Sequence, residues 1–149
     1  MNIYVLNGPN LNLLGIREPS IYGNETYDAL IRRIEEHAKA KGVTVKCMQS
    51  NHEGCLVDMI HEGFFAKIDG IVFNPGAYTH TSVALLDALK ATSIPCVEVH
   101  ISDVSTREDF RQISYIRSAC LATISGHGQA GYLEAIDLLI AHAKERETT

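Results

Sequence analysis

No extended run of Lys or Arg, no long hydrophobic stretch and no paired cysteines occur in this sequence, and each absence removes a class of protein. A net charge of −5 with scattered basic residues leaves no electrostatic footprint for nucleic acid. No window approaches the roughly 20 apolar residues that a membrane-spanning helix requires. The opening residues, MNIYVLNGPN, lack the basic flank and apolar core of a secretory signal, so a cytoplasmic protein is expected. The acceptor-like tripeptide Asn24-Glu25-Thr26 is then a chance match. Cys47, Cys55, Cys96 and Cys120 form no C-x-x-C pair, and most sit in apolar strand-like runs, so buried, reduced thiols are expected. The 7 His residues show no H-E-x-x-H or comparable spacing, so no zinc site is expected.

What remains is ordinary globular composition, 46% hydrophobic and 21% charged, in a chain of 149 residues that fits one domain over 1–149. Five short apolar runs alternate with helical patterns: Ile3–Leu6, Val43–Met48, Gly70–Phe73, Pro95–Val99 and Ala119–Ile124. Several are continuously apolar, as strands covered on both faces should be. From Thr26 to Lys41, the residues Tyr27, Leu30, Ile31, Ile34 and Ala38 recur at helical spacing, with Thr26 or Asn24 able to cap the start and Gly42 the end. Further helices fit Gly54–Ala66, His80–Ala91 and Gln129–Glu145. Repeated βα units predict a parallel sheet with right-handed crossovers. Five strands at this length predict a flavodoxin-like α/β three-layer sandwich with strand order 2-1-3-4-5. The long connection Asn7–Tyr22, rich in Asn, Gly and Pro, is the kind of loop that carries function.

In open α/β sheets, ligands bind beyond the carboxyl ends of the strands. The polar residues gather there: Asn7 to Asn12 after the first run, Ser50 to Gly54 after the second, Asn74 to His80 after the third, and Glu98 to Ser102 at the fourth. Turn and cap chemistry explains one or two such clusters, whereas four, with His80 and His100 among them, favour a site. Glu98 and His100 are two residues apart and project from one face of a strand, so the carboxylate can orient the imidazole for proton donation. Tyr22 reads first as a packed aromatic anchor. It reads as a base only if guanidinium groups such as Arg17 or Arg111 adjoin it. The segment Gly126-His127-Gly128-Gln129-Ala130-Gly131 fits G-x-G-x-x-G, but no later strand or acidic residue follows, so it reads as a tight turn rather than a dinucleotide site.

Together these segments strongly resemble the type II 3-dehydroquinate dehydratases. The matching pieces are Asn7 to Gly15, Arg17-Glu18-Pro19, Tyr22-Gly23, Gln49 to Gly54, Asn74 to Ser82, Val97 to Ser102, and Arg107 with Phe110-Arg111. The resemblance implies a hydro-lyase that removes water from 3-dehydroquinate by anti elimination through an enolate, without metal or organic cofactor. It makes Tyr22 the base and Arg17 the group that keeps it ionised, on a loop that shuts over the substrate. Asn10 would hold a water near the enolate oxygen, and His100, oriented by Glu98, would protonate the departing hydroxyl. Asn74, His80, Asp87 and Arg111 match residues that grip the substrate's hydroxyl groups, and the amides of Ile101 and Ser102 would receive its carboxylate. Trimers grouped into a homododecamer are also implied, with Asp87 reaching a neighbouring subunit's site. Cys55 and Asp103 depart from the Glu and Asn of many relatives, and the stretch Gln112 to Arg117 is less polar than usual. Neither departure falls on a proton-transfer group. A non-catalytic sensor would need no matched acid and base, and a hydrolase built on His100 and Glu98 lacks a Ser or Cys nucleophile motif.

Overall fold

Apolar residues run through three segments that become strands β1 (Asn2–Asn7), β3 (Gly70–Asn74) and β4 (Cys96–His100) of a sheet. These come from a computed structural model that describes residues 1–16, 20 and 25–148. Strands β2 (Thr44–Gln49) and β5 (Ala122–Ser125) complete an all-parallel sheet in the order β2-β1-β3-β4-β5, as predicted. Parallel neighbours need crossover connections. Helices α1 (Tyr27–Lys41), α2 (Glu53–Phe65), α3 (Val83–Thr92) and α4 (Ala130–Glu147) lie between or after the strands and cover both faces.

Alternation along the strands sorts the core into two halves. Ile3, Val5, Val72, Val97 and Val99 face α1 and α4, meeting Leu30, Ile34, Ile136 and Leu139. Tyr4, Leu6, Ile71, Phe73 and Cys96 face α2 and α3, meeting Leu56, Ile60, Leu85 and Leu89. Each fully buried aliphatic side chain of this kind contributes about 1.5–3 kcal/mol.

Local signals set most boundaries. Thr26 Oγ1 accepts from the Ala29 amide at 3.1 Å to open α1, and Gly42 closes it in the left-handed conformation. Helix α3 starts at Val83 rather than at His80. Residues Gly76–His80 form a 3-10 turn, and Ser82 then caps the helix by accepting from Leu85 N at 3.0 Å. Strand β5 likewise starts at Ala122 rather than Ala119, because Ile116–Ala119 forms another 3-10 turn. The expectation of buried thiols holds for Cys96 and fails for Cys55, which is exposed, while Cys47 and Cys120 are half-buried. The buried stripe of α2 runs through Leu56, Ile60 and Gly63, and Cys55 stands one residue, about 100°, off it.

The strands end level with one another. Asn7 pairs in register with Gln49 on one side and Asn74 on the other. Just beyond, the Gly8 amide donates to Asn74 O at 2.8 Å, and any Cβ on Gly8 would stand 2.3 Å from Pro75 O. Only glycine lets the two strand exits converge this closely. Among the described residues, no helix is long and apolar enough to cross a membrane.

Candidate active site

Where β1, β3 and β4 end, their outgoing loops line an open cleft. Of the residues singled out from the sequence, it is lined by Asn10, Asn74, His80, His100, Ile101, Ser102 and Arg111, together with Arg107. These residues come from three separate strand ends and the loops that leave them, as expected of a site at the carboxyl edge of a doubly wound sheet.

The electrostatic centre is the Glu98–His100 pair. Both are buried, with Glu98 at 0% exposure and His100 at 6%, and they share a face of β4. His100 Nε2 lies 2.5 Å from Glu98 Oε2. Thr79 Oγ1 donates to the same oxygen at 2.8 Å, Ser114 Oγ reaches both carboxylate oxygens at 2.9 Å, and Thr123 Oγ1 reaches Oε1 at 3.2 Å. Burial pushes the Glu98 carboxyl up, but the bond and charge of His100, with the Thr79 and Ser114 hydroxyls, outweigh it and hold the group below its usual 4.5. Glu98 is therefore a carboxylate that only accepts. The proton in the short contact belongs to His100 Nε2, which leaves Nδ1 as the ring's other functional atom.

His80 is held differently. Its Nδ1 lies 2.7 Å from Ile113 O, and a carbonyl can only accept, so Nδ1 carries the proton. Burial lowers the His80 pKa; the Ile113 bond opposes this, and the His100 and Arg111 charges add to it. A neutral ring with Nδ1–H presents Nε2 as a hydrogen-bond acceptor. Arg111 Nε donates to Glu108 Oε2 at 2.6 Å, which steadies a cation beside the cleft.

Asn74 is fixed from behind. Its Nδ2 donates to Tyr132 Oη at 2.9 Å, and its Oδ1 accepts from Gly76 N at 3.1 Å. Tyr132 in turn donates to Asn7 Oδ1 at 2.7 Å. Asn10 adopts the left-handed conformation (φ 70°), which Asn tolerates better than most residues, and its amide donates to Asn51 Oδ1 at 3.1 Å. Gln49 Nε2 bonds Asn51 Oδ1 at 3.0 Å and Gly8 O at 3.1 Å, so the turn after β2 braces the turn after β1.

Glu98 does not line the cleft but lies behind His100. Asp87 is exposed on α3 and does not line it either. Tyr22 and Arg17 lie outside the described residues. Sequence reasoning missed Arg107 in the lining, the hydroxyls of Thr79, Ser114 and Thr123 around Glu98, and the Tyr132 bridge. The G-x-G-x-x-G segment forms a turn between β5 and α4, with Gly126 and Gly128 both at positive φ.

A buried carboxylate–imidazole pair at a polar cleft, with an acceptor His and two Arg residues in the same lining, defines an α/β enzyme of acid–base chemistry. Comparisons with known proteins narrow that class. The family model described as Dehydroquinase class II matches residues 1–140. A 3-dehydroquinate dehydratase of Clostridium perfringens (strain SM101 / Type A) is 50% identical over 146 residues, covering 98% of this chain and 100% of its own. One from Rhodopseudomonas palustris (strain BisA53) is 54% identical over 139 residues, 93% of this chain and 92% of its own. The crystal structure of a type II dehydroquinase from Butyrivibrio crossotus DSM 2876 superposes with a TM-score of 0.93 at 55% identity, covering 94% of this chain and 97% of that one. The chain belongs to the class II dehydroquinase family.

Proposed function

We propose that this protein is a 3-dehydroquinate dehydratase, a hydro-lyase that converts 3-dehydroquinate to 3-dehydroshikimate and water, acting as a single catalytic domain over residues 1–149. The reaction serves the shikimate pathway to aromatic amino acids, or the breakdown of quinate. It runs by anti elimination: a base takes the C2 proton, an enolate forms, and the C1 hydroxyl leaves as water after protonation on the opposite face. Tyr22 is the base in this reading, held ionised by Arg17. Lowering a phenol pKa by two units takes about 3 kcal/mol of differential interaction, within reach of one or two guanidinium groups. Both assignments rest on the sequence match alone.

The acid side rests on geometry as well. The observation that carries the reading is the buried Glu98–His100 pair at 2.5 Å, with His100 on the wall of a cleft it shares with His80 and Arg111. Glu98 fixes the ring orientation, and His100 Nδ1 donates to the departing hydroxyl. Asn10 holds a water near the enolate oxygen, where preorganised donors are worth several kcal/mol. Asn74, His80 and Arg111 grip hydroxyl groups, His80 as an acceptor through Nε2, and the Ile101 and Ser102 amides take the carboxylate. No step needs a metal or organic cofactor.

The same reading makes the working unit a homododecamer, a tetramer of trimers, with Asp87 completing a neighbour's site. The exposure of Val83 (50%), Ile113 (54%) and Phe110 (65%) on segments near the cleft supports burial against another copy. A cytoplasmic setting agrees with four cysteines left as thiols.

The test is to mix purified protein with 3-dehydroquinate and follow the ultraviolet absorbance of the conjugated product. Steady growth of that signal is expected. Saturable binding with no signal would replace the enzyme by a sensor. His100→Ala should still bind substrate by calorimetry while losing the dehydration step.

A further inference from the structure

The turn that imitates a dinucleotide fingerprint sits against the loop that leaves β4. Three successive carbonyls of that loop are taken up by it. Gly126 N donates to His100 O at 3.2 Å, Gly128 N donates to Ile101 O at 3.1 Å, and Ser125 Oγ donates to Ser102 O at 3.1 Å. Ser125 Oγ also accepts from Val104 N at 3.3 Å, so one hydroxyl staples both arms of the loop.

The peptide geometry turns this into a direction. All described peptide bonds are trans, so the N–H of each residue points opposite to the carbonyl before it. In an extended strand successive carbonyls alternate in direction. Here those of His100 and Ile101 both aim at the β5–α4 turn, so the chain bends at Ile101. The amides of Ile101 and Ser102 therefore both aim away from the turn, and both residues line the cleft together with Arg107 and Arg111. Two adjacent amides aimed one way form a concavity for an anion.

The turn can reach this position only with its glycines. Gly126 has φ +83° and Gly128 φ +60°, and a Cβ on Gly126 would stand 3.0 Å from Asp103 Cβ. We propose that Ser125, with the Gly126–Gly128 turn, is the positioning element that holds the Ile101 and Ser102 amides as the receptor for the substrate carboxylate. The proposal rests on the dehydratase reading. Ser125 touches no reacting atom and acts through the loop it staples.

The role predicts a specific kinetic split. Loss of a carboxylate anchor weakens ground state and transition state alike, so KM rises while kcat holds. Ser125→Ala should raise KM for 3-dehydroquinate about fivefold to tenfold, as expected for one or two lost hydrogen bonds, with kcat within about twofold. The inhibition constant of the carboxamide of 3-dehydroquinate, which lacks the charge, should move less than about twofold. Ser125→Thr, which keeps the hydroxyl, should recover most of the lost affinity. Gly128→Ala places its methyl in open space and strains only the turn, so it tests the same loop without a side-chain clash. It should shift the acid's KM in the same direction. The proposal falls if acid and carboxamide weaken in parallel, or if neither variant moves the acid's KM. Wild-type protein that fails to turn over 3-dehydroquinate would instead remove the dehydratase reading.

Discussion

Replacing Glu98 by Gln changes one oxygen to an NH2 group and nothing in side-chain volume, yet it strikes the centre of the site. The carboxylate accepts from His100, Thr79, Ser114 and Thr123 at 0% exposure. The hydroxyls can rotate to accept from an amide, but the His100 Nε2–H would face an N–H donor. A hydrogen bond to a buried charge is worth about 1.5–3 kcal/mol, so one such loss with partial repair of the rest costs about 2–4 kcal/mol. For a chain of this size that lowers Tm by roughly 5–12 °C. His100 would also lose its fixed orientation, and kcat should fall about a hundredfold. Circular dichroism melts and the absorbance assay read both effects. The dependence on pH separates this account from general damage. The Glu98 carboxyl titrates lower in the folded protein than its ordinary 4.5, so its stabilisation is complete above that value and fades as pH falls through the folded one. The gap in Tm between wild type and variant should therefore be wide at neutral pH and narrow as pH falls below the ordinary 4.5. A variant that melts with the wild type and turns over within twofold of it would refute the reasoning.

Tyr22→Phe and Arg17→Ala should each lower kcat by about two to four orders of magnitude with the circular dichroism spectrum unchanged, and a wild-type rate in either would strike that residue from the mechanism. His80 binds as a neutral acceptor, so 1/KM should fall as pH drops through a value below its ordinary 6.5, and His80→Asn should flatten that limb. A pH profile identical in variant and wild type would exclude the acceptor role. Tyr132→Phe strands Asn7 Oδ1 and Asn74 Nδ2 in the interior, at a cost of about 1–3 kcal/mol. An unchanged melting temperature would mean that other groups satisfy both.

The fold was legible because burial on both faces leaves a continuous apolar signal in β1, β3 and β4, and because Thr26 and Gly42 are chemically suited to the caps they form. The boundaries that slipped, at His80 and Ala119, are 3-10 turns, whose residues carry the same composition as the helix or strand beside them. Glu98 and His100 were legible as a pair since both lie on one strand with a spacing of two. Their surroundings were not. Thr79, Ser114 and Thr123 reach one carboxylate from three separate segments, and an isolated hydroxyl in sequence carries no mark of the partner it will meet. The same holds for Tyr132, which has the spacing of an ordinary core aromatic and differs only in where its oxygen ends.

That oxygen has a consequence for the order of events during folding. The bond from Tyr132 to Asn7 spans 125 positions of sequence, nearly the length of the molecule. Strand pairing alone sets Asn7 beside Asn74, but their side chains gain a shared partner only from the last helix. A chain cut short before α4 should therefore lose activity even where the sheet persists, because both asparagines would be left without the hydroxyl that joins them.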